Sequence, residues 1–223
     1  MPRTRRKNPE PQPSAATPRD QNRRARLSAI EQAALPLYLA RGLDAVTVDD
    51  ITARAGIAKG SFYRYHADQE ALVTWLCAPL GAALRKAFLL AAQTLETSGS
   101  AQAALMGALT QLALAHPERV RLYLQESRGP AFGPRRAIAA LSAEIARHAL
   151  TLTRTAQSNG ALAARVDARA VSLALVGAVE RLLLAALSGE ELGDPVGAAE
   201  SLWALVREGA RPPARRSYGR ASA

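Results

Sequence analysis

The chain has 223 residues, of which 48% are hydrophobic but only 4% aromatic, and its formal net charge is +10. This length suffices for a small domain joined to a medium-sized one, and a core built from alanine, leucine and valine favours an all-α fold. The single cysteine, Cys77, excludes an intrachain disulfide. Because no apolar segment follows the basic N-terminus, we expect no secretory signal and a cytoplasmic location.

Most of the positive charge lies near the two ends of the chain. Residues 1–26 contain eight arginine and lysine residues against two acidic ones, and residues 211–220 contain four arginines. Such an excess attracts polyanions, which suits nucleic acid or an anionic membrane surface, although basic tails alone can produce it. Because residues 1–19 and 210–223 carry few large apolar side chains, we expect a disordered basic arm and a disordered basic tail.

The first predicted helix runs from Asp20 to Gly42. Its apolar residues recur at spacings of three and four, which places them on one helical face. They are Ile30, Ala33, Ala34, Leu37 and Tyr38. Gly42 can adopt left-handed backbone angles and predicts the end of the helix. Pro36 lacks the N–H that would bond to Gln32, so we expect a bend there.

Two short helices with a glycine-containing turn between them are predicted within the sequence LDAVTVDDITARAGIAKGSFYRYH, which begins at Leu43. Thr47 and Asp50 form a capping box that starts the first short helix, and Gly56 ends it. The second is expected over 58–65. This arrangement is a helix-turn-helix, in which the second helix enters the major groove of DNA and the first braces it.

A pattern of residues runs without gaps through about residues 26–76. It consists of Ile30, Ala33-Ala34, Leu37-Tyr38, Gly42, Thr47-Val48, Ile51, Ala55-Gly56-Ile57, Gly60-Ser61-Phe62-Tyr63, Glu70 and Leu72. In this pattern the chain resembles the TetR family of transcription regulators. The resemblance implies a three-helix, homeodomain-like DNA-binding domain, which we assign to residues 20–66, followed by a helical-bundle domain over 67–209.

The resemblance also implies, position by position, which residues face DNA. They are Thr47, Lys59, Gly60, Ser61, Tyr63, Arg64 and Tyr65. The missing side chain of Gly60 would permit close approach to the duplex, and Tyr63 is expected to contact phosphate. Three positions depart from the family pattern. Ala58 stands where a capping serine or threonine is usual, His66 where phenylalanine is common, and Gln69 where a lysine often meets phosphate.

Prolines and glycines divide the predicted larger domain into further helices. The expected helices are one from Asp68 until Pro79 interrupts it, one from there to about Thr97, one ending at His116, and four at 118–127, 135–158, 167–187 and 195–208. The run 171–187 is the most apolar, but it contains Glu180 and Arg181, which a bilayer would disfavour. We therefore expect a buried helix of a soluble protein and no membrane partner.

The resemblance further implies a cavity among the later helices that takes a small apolar or amphipathic effector. The large adaptable side chains available to line it are Trp75, Phe88, Met106, Tyr123 and Phe132, and Glu126 or Arg128 could orient a polar group. For each of these side chains, plain core packing or simple exposure is the alternative interpretation.

The helices at 135–158 and 167–187 are long and rich in alanine and leucine, and the second contains the small residues Ala174, Gly177 and Ala178. In the family this pair forms a dimer interface, whereas intrachain packing is the alternative. The resemblance thus implies a homodimeric regulator, by default a ligand-responsive repressor, on a palindromic operator in double-stranded DNA.

Two other functions stay open at this point. One is a ligand-independent architectural DNA-binding protein, for which the basic ends would suffice. The other is a helical enzyme or binding protein, but no catalytic side chains cluster in the sequence. His66, His116 and His148 stand far apart, without a neighbouring cysteine. We therefore predict no enzymatic activity, no catalytic or metal site, and no cofactor.

Overall fold

The protein is all-helical in the computed structural model, which describes residues 17–97 and 101–190 and the helical positions 197, 201, 202 and 204. This part of the chain contains no strand, so the predicted all-α class is confirmed. Its helices are α1 (Pro18–Arg41), α2 (Val48–Ala55), α3 (Lys59–Tyr63), α4 (Gln69–Thr97), α5 (Ala101–Ala115), α6 (Pro117–Glu126), α7 (Arg135–Ser158) and α8 (Ala168–Leu187).

Helix α1 begins earlier than the sequence pattern predicts. The Thr17 hydroxyl accepts a hydrogen bond from the Asp20 N–H at 3.3 Å, and the Asp20 carboxylate accepts one from the Thr17 N–H, which completes a capping box. Pro18 occupies the first helical position, where an N–H is not needed. Residues 17–19 therefore belong to α1 rather than to the predicted arm, and residues 1–16 lie outside the described residues.

Helix α1 continues through Pro36 and ends at Gly42. Gly42 ends the helix as predicted and donates its N–H to the Tyr38 carbonyl at 2.8 Å, but its φ of 79° and ψ of 164° are a glycine conformation other than the left-handed helical one. Most of the predicted apolar face is buried, whereas Leu37 is only partly buried. The buried residues are Ile30, Ala33, Ala34, Leu35 and Tyr38.

Helix α2 has the boundaries that its capping signals predict. Thr47 and Asp50 form the capping box, and Gly56 ends the helix in the left-handed conformation with a φ of 63°. Helix α3 is shorter than predicted, because Ala58 provides no side-chain cap and the N–H groups of Tyr65 and His66 both turn back to the Phe62 carbonyl.

The first three helices and the start of α4 share one core. Ile51 from α2 and Phe62 from α3 are fully buried, and Leu72, Val73 and Leu76 from α4 are buried in the same cluster. Burial of this apolar surface is what holds the short α3 in place, since five residues cannot form a stable helix alone. We refer to residues 17–66 as the head and to the helices from α4 onward as the body.

Helix α4 is one helix of 29 residues, and the predicted interruption at Pro79 is wrong. Proline removes one backbone hydrogen bond but does not end a helix when tertiary packing holds both sides. Here Leu76 and Leu80, on either side of Pro79, are both fully buried in the same core. The packing of the body therefore overrides the local signal.

Helices α5, α6 and α7 follow the predicted pattern to within a few residues, and α8 begins after Asp167, whose carboxylate caps it. The expectation that α8 is a buried helix is wrong for the single chain, because only Ser172 and Ala185 are fully buried along it. The predicted helix 195–208 and the basic tail lie almost entirely outside the described residues.

Within the described residues, two segments are long and apolar enough to span a bilayer by length and composition alone, namely Gln69–Leu95 and Ala168–Leu187. Core helices of soluble proteins satisfy the same criteria, so this is weak evidence. Helix α4 contributes one face to the core, with 39% of its apolar stretch buried, whereas only 17% of that in α8 is buried.

The Thr47 cap provides a direct test of how the head is held. We predict that Thr47→Ala lowers the free energy of unfolding by about 1 kcal/mol, because the N-terminal N–H groups of α2 lose their acceptor. Thr151→Ala is the control, since the Thr151 hydroxyl is exposed and only donates to the Arg147 carbonyl within α7. Chemical denaturation measures both, and equal losses for the two variants would contradict the role of the cap.

Candidate nucleic-acid interface and internal cavity

The outer side of α3 is open to solvent. Phe62 is the one fully buried residue of this helix, and its ring meets that of Tyr63 edge-on at 5.4 Å. Tyr63 is 49% exposed, and Lys59, Gly60 and Arg64 are also exposed, whereas Ser61 and Tyr65 are partly buried. Six of the seven residues that the sequence predicts to face DNA thus lie on α3 or directly after it, whereas Thr47 caps α2.

Gly60 leaves open space on this surface. A Cβ atom placed on Gly60 would meet no atom within 4 Å, so nothing in the protein requires glycine at this position. Its lack of a side chain instead allows a large partner to approach the backbone of α3 closely.

Lys59 is tied to the preceding helix. Its Nζ lies 2.8 Å from Asp49 Oδ1, and both side chains are exposed. The hydrogen bond and the charge of Asp49 raise the pKa of Lys59, so the ammonium group stays protonated. The ion pair also lowers the net positive charge of this surface, because Asp49 sits beside the cation.

Thr47 serves mainly as a cap. Its hydroxyl donates to Asp50 Oδ2 at 2.8 Å and accepts from the Asp50 N–H at 3.1 Å. Hydrogen bonds from Thr47 and Arg41 lower the pKa of Asp50 to about 2. A phosphate has only acceptors to offer, so the Thr47 hydroxyl would have to leave Asp50 in order to donate to it.

The structure explains two of the three departures from the family pattern. Gln69 Oε1 accepts a hydrogen bond from the buried Tyr38 hydroxyl at 2.9 Å, and a lysine, which has no acceptor, could not accept this bond. His66 is buried between the rings of Phe62 and Trp75, at centroid distances of 5.7 and 5.5 Å, and so fills space as an aromatic residue would. Burial lowers the pKa of His66 and favours its neutral form.

A cavity of about 240 Å³ lies within the body, between α4, α5, α6, α7 and α8. Of the predicted ligand-binding residues, Phe88, Met106 and Tyr123 line it. Trp75, Glu126 and Phe132 do not. Trp75 packs under the head beside His66, Glu126 forms an ion pair with Arg135, and Phe132 is exposed in the loop before α7. Arg128, the alternative to Glu126, is exposed and does not line the cavity either.

The most polar group in the cavity is one that the sequence analysis does not assign to it. Glu180, on α8, lines the cavity and accepts a hydrogen bond from the Tyr123 hydroxyl at 2.6 Å. The Tyr123 hydroxyl in turn accepts one from the Ser142 hydroxyl at 3.1 Å. In the sequence, the feature that could indicate this role is a single acid, Glu180, within an apolar helix. Taken alone, that feature argues only against insertion of the helix into a membrane.

Helix α6 joins the cavity to the head. Val120, Tyr123 and Leu124 line the cavity from α6. On the same helix, Arg119 forms an ion pair and a hydrogen bond with Glu31 of α1. Arg119 also lies over the Trp75 ring, 6.0 Å from its centroid, which is within range of a cation–π contact.

A second contact with the head starts at the end of α6. Arg135, the first residue of α7, donates from Nε to Glu126 Oε2 at 2.7 Å and also pairs with Asp44, which follows α1. A Cβ on Gly42 would lie 3.4 Å from Glu126 Oε1, so the loop after α1 passes close to this carboxylate. The described residues contain no cluster of three or more side chains that could hold a metal ion.

Solved structures share this fold. NalD, the secondary repressor of the MexAB-OprM multidrug efflux pump in Pseudomonas aeruginosa, has a TM-score of 0.65 at 18% identity, covering 86% of this chain and 99% of its own. The fatty acid degradation regulator FadR from Bacillus halodurans has a TM-score of 0.62 at 14% identity, with coverage of 82% and 99%. FadR from Bacillus subtilis in complex with stearoyl-CoA has the same TM-score and coverage at 15% identity.

No curated protein sequence matches the chain. A family model described as "Bacterial regulatory proteins, tetR family" matches residues 30–74, which run from the middle of α1 into α4. That segment contains the capped α2, the left-handed turn at Gly56 and the exposed α3. Residues 30–74 therefore match the tetR family of bacterial regulatory proteins, and the chain shares the fold of these solved regulators.

Proposed function

We propose that this protein is a ligand-responsive repressor that binds a palindromic operator as a homodimer in the cytoplasm. The observation that supports the ligand response is the double role of α6, which lines the cavity and, through Arg119, forms an ion pair with Glu31 of the head. NalD is itself named as a repressor, which agrees with this sign of regulation.

The contacts of α6 explain how a ligand could act at a distance. Arg119 is only 15% exposed at its side chain, so its pair with Glu31 is partly shielded from water and stronger than a surface pair. A ligand that displaces Val120 or Tyr123 would move Arg119 on the same rigid helix. The displacement would then reach α1 through the ion pair.

The Arg135 contact acts in the same way at the other end of α6. Glu126 has a side chain that is 4% exposed, and such a buried carboxylate requires a partner. Arg135 supplies that partner and simultaneously holds Asp44 of the head. The position of the head is thus coupled to the position of the α6 C-terminus.

A ligand can shift the protein only if it binds one arrangement more tightly than the other. In a dimer, the distance between the two α3 helices must match successive major grooves, which are about 34 Å apart. An arrangement of α6 that changes this distance would release the operator, and a ligand that favours it would relieve repression.

The dimer is proposed from the open surface of α8. Leu173 is 50% exposed, and a Cβ placed on Gly177 would meet no atom within 4 Å. An apolar helix that leaves this much surface uncovered is a typical protein-binding surface. Helix α7 packs beside α8 in the same chain. Helices α7 and α8 of two copies would therefore together form a four-helix interface.

Footprinting on the DNA upstream of the protein's own gene tests the proposal. We expect protection of one discrete, twofold-symmetric site with half-sites about one helical turn apart or a multiple of that distance. Uniform weak protection without a discrete site would instead support the architectural DNA-binding alternative and overturn the proposed function.

Tyr63 tests the DNA contacts proposed for α3. We predict that Tyr63→Phe weakens operator binding by about 1.5–3 kcal/mol, or roughly ten- to a hundredfold, because a hydrogen bond to a charged phosphate is lost. Its hydroxyl forms no hydrogen bond in the described part of the chain, so the free energy of unfolding should stay unchanged. Unchanged affinity in a gel-shift titration would rule out this contact.

Gly177 tests the dimer. We predict that Gly177→Glu produces monomers in analytical ultracentrifugation, because it places a charge in the proposed apolar interface. Gly107→Glu is the matched control, since Gly107 on α5 is equally free of neighbours within 4 Å and lies away from α8. A monomeric unmodified protein, or a dimeric Gly177→Glu variant, would contradict the interface.

A further inference from the structure

The cavity has an unusual charge composition. Among the described side chains that line it, four are polar, namely Tyr123, Thr153, Ser172 and Glu180. The other described lining residues are aliphatic or aromatic or are methionine, and none of them is arginine, lysine or histidine. Within the described part of the chain, the formal charge facing this space is therefore negative.

Two of the four polar side chains are already satisfied within their own helices. The Thr153 hydroxyl donates to the Ala149 carbonyl at 2.9 Å, and the Ser172 hydroxyl donates to the Arg169 carbonyl at 2.9 Å. Neither hydroxyl hydrogen is therefore available to a ligand without the loss of a bond, and these two groups can only accept from it. The charged end of the polar lining is formed by Tyr123 and Glu180.

The hydrogen bonds of these two residues have a fixed direction. An ionised carboxylate can only accept, so the Tyr123 hydroxyl must donate to Glu180, and Tyr123 then accepts from Ser142. The chain of bonds runs from Ser142 through Tyr123 and ends on the Glu180 carboxylate. A ligand that contacts the Glu180 carboxylate must supply a hydrogen-bond donor. An acceptor on the ligand would instead place two partially negative oxygen atoms against each other.

Glu180 also lacks a cation in the described part of the chain. The neighbouring cation on α8, Arg181, is paired with Glu190 at 2.8 Å and does not form an ion pair with Glu180. A carboxylate beside apolar side chains is poorly solvated, and it gains most from a partner of opposite charge. A positively charged group on a ligand would supply the partner that the Glu180 carboxylate lacks within the described residues.

We infer that the cavity binds a small lipophilic amine, whose ammonium group pairs with Glu180 and whose apolar body packs against side chains such as Phe88 and Met106. A volume of about 240 Å³ lies just below the usual range of roughly 300–1,000 Å³ for ligand sites, which suits a compact molecule. Fatty acids and acyl thioesters place an acceptor or a negative charge against Glu180 and are disfavoured. This inference rests on the proposed function, since it names the effector class of that regulator.

Three probes of equal chain length test it, namely octylamine, octanol and octanoate, with binding to the full-length protein followed by calorimetry at neutral pH. We expect octylamine to bind about ten- to a hundredfold more tightly than octanol, because its ammonium group forms an ion pair with the carboxylate, to which octanol can only donate a hydrogen bond. Octanoate should bind more weakly than octanol. Octanoate binding as tight as that of octylamine, or no binding by any probe, would overturn the inference.

Two variants assign the preference to one residue. Glu180→Gln should bind octylamine and octanol about equally while octanol affinity stays unchanged, which also shows that the cavity is intact. Glu190→Gln is the matched control and should keep the preference, because Glu190 pairs with Arg181 and does not line the cavity. An amine preference that persists in Glu180→Gln would assign it elsewhere and contradict the inference. Footprinting with the unliganded protein reports separately on the proposed function.

Discussion

The ion pairs that Arg119 of α6 and Arg135 of α7 form with the head are the contacts on which the rest of the molecule depends. Glu126 is a nearly fully buried carboxylate, and Arg135 is the side chain that neutralises it while also reaching Asp44 in the head. Arg119 makes the equivalent link to Glu31 from the other end of α6. Buried ion pairs contribute little net stability compared with apolar packing, but they fix geometry, because any misalignment leaves a charge unpaired. The orientation of the exposed α3 surface is therefore set by charges that belong partly to the body.

This arrangement places the cavity and α1 of the head against the same short helix. Helix α6 has ten residues, so a shift at Tyr123 is transmitted to Arg119 and Glu126 without an intervening loop. The acceptor end of the Ser142–Tyr123–Glu180 chain also joins α6 to α8, whose outer surface is the proposed dimer contact. A single ligand at Glu180 would thus act on both the head contact and the dimer contact.

The features that follow from local sequence were predictable, and those that depend on long-range contacts were not. The Thr47 cap, the left-handed Gly56 and the ends of α7 are encoded by a few adjacent residues, and all were placed correctly. Pro79 was interpreted as a break because its local effect is strong, whereas burial of Leu76 and Leu80 keeps α4 continuous. The sequence predicts that Glu126 contacts a ligand, but its partner is Arg135. Arg135 also pairs with Asp44, which is far away in sequence, so local sequence could not indicate this contact. Glu180 could be assigned to the cavity only once the packing of α6 against α8 was known.

A thermodynamic cycle on operator affinity tests the central claim that α6 couples the cavity to the head through these charges. Ala149→Phe fills the cavity from α7, and the pair Glu31→Gln and Asp44→Asn removes both acids on the head side while Arg135 keeps Glu126 paired. Filling the cavity should lower operator affinity about tenfold in the otherwise native protein, which is a typical coupling between two sites. In the variant that lacks both acids, Ala149→Phe should change operator affinity by less than about twofold, which is the limit expected for independent sites. Equal changes in the two backgrounds, or no change in either, would contradict the account.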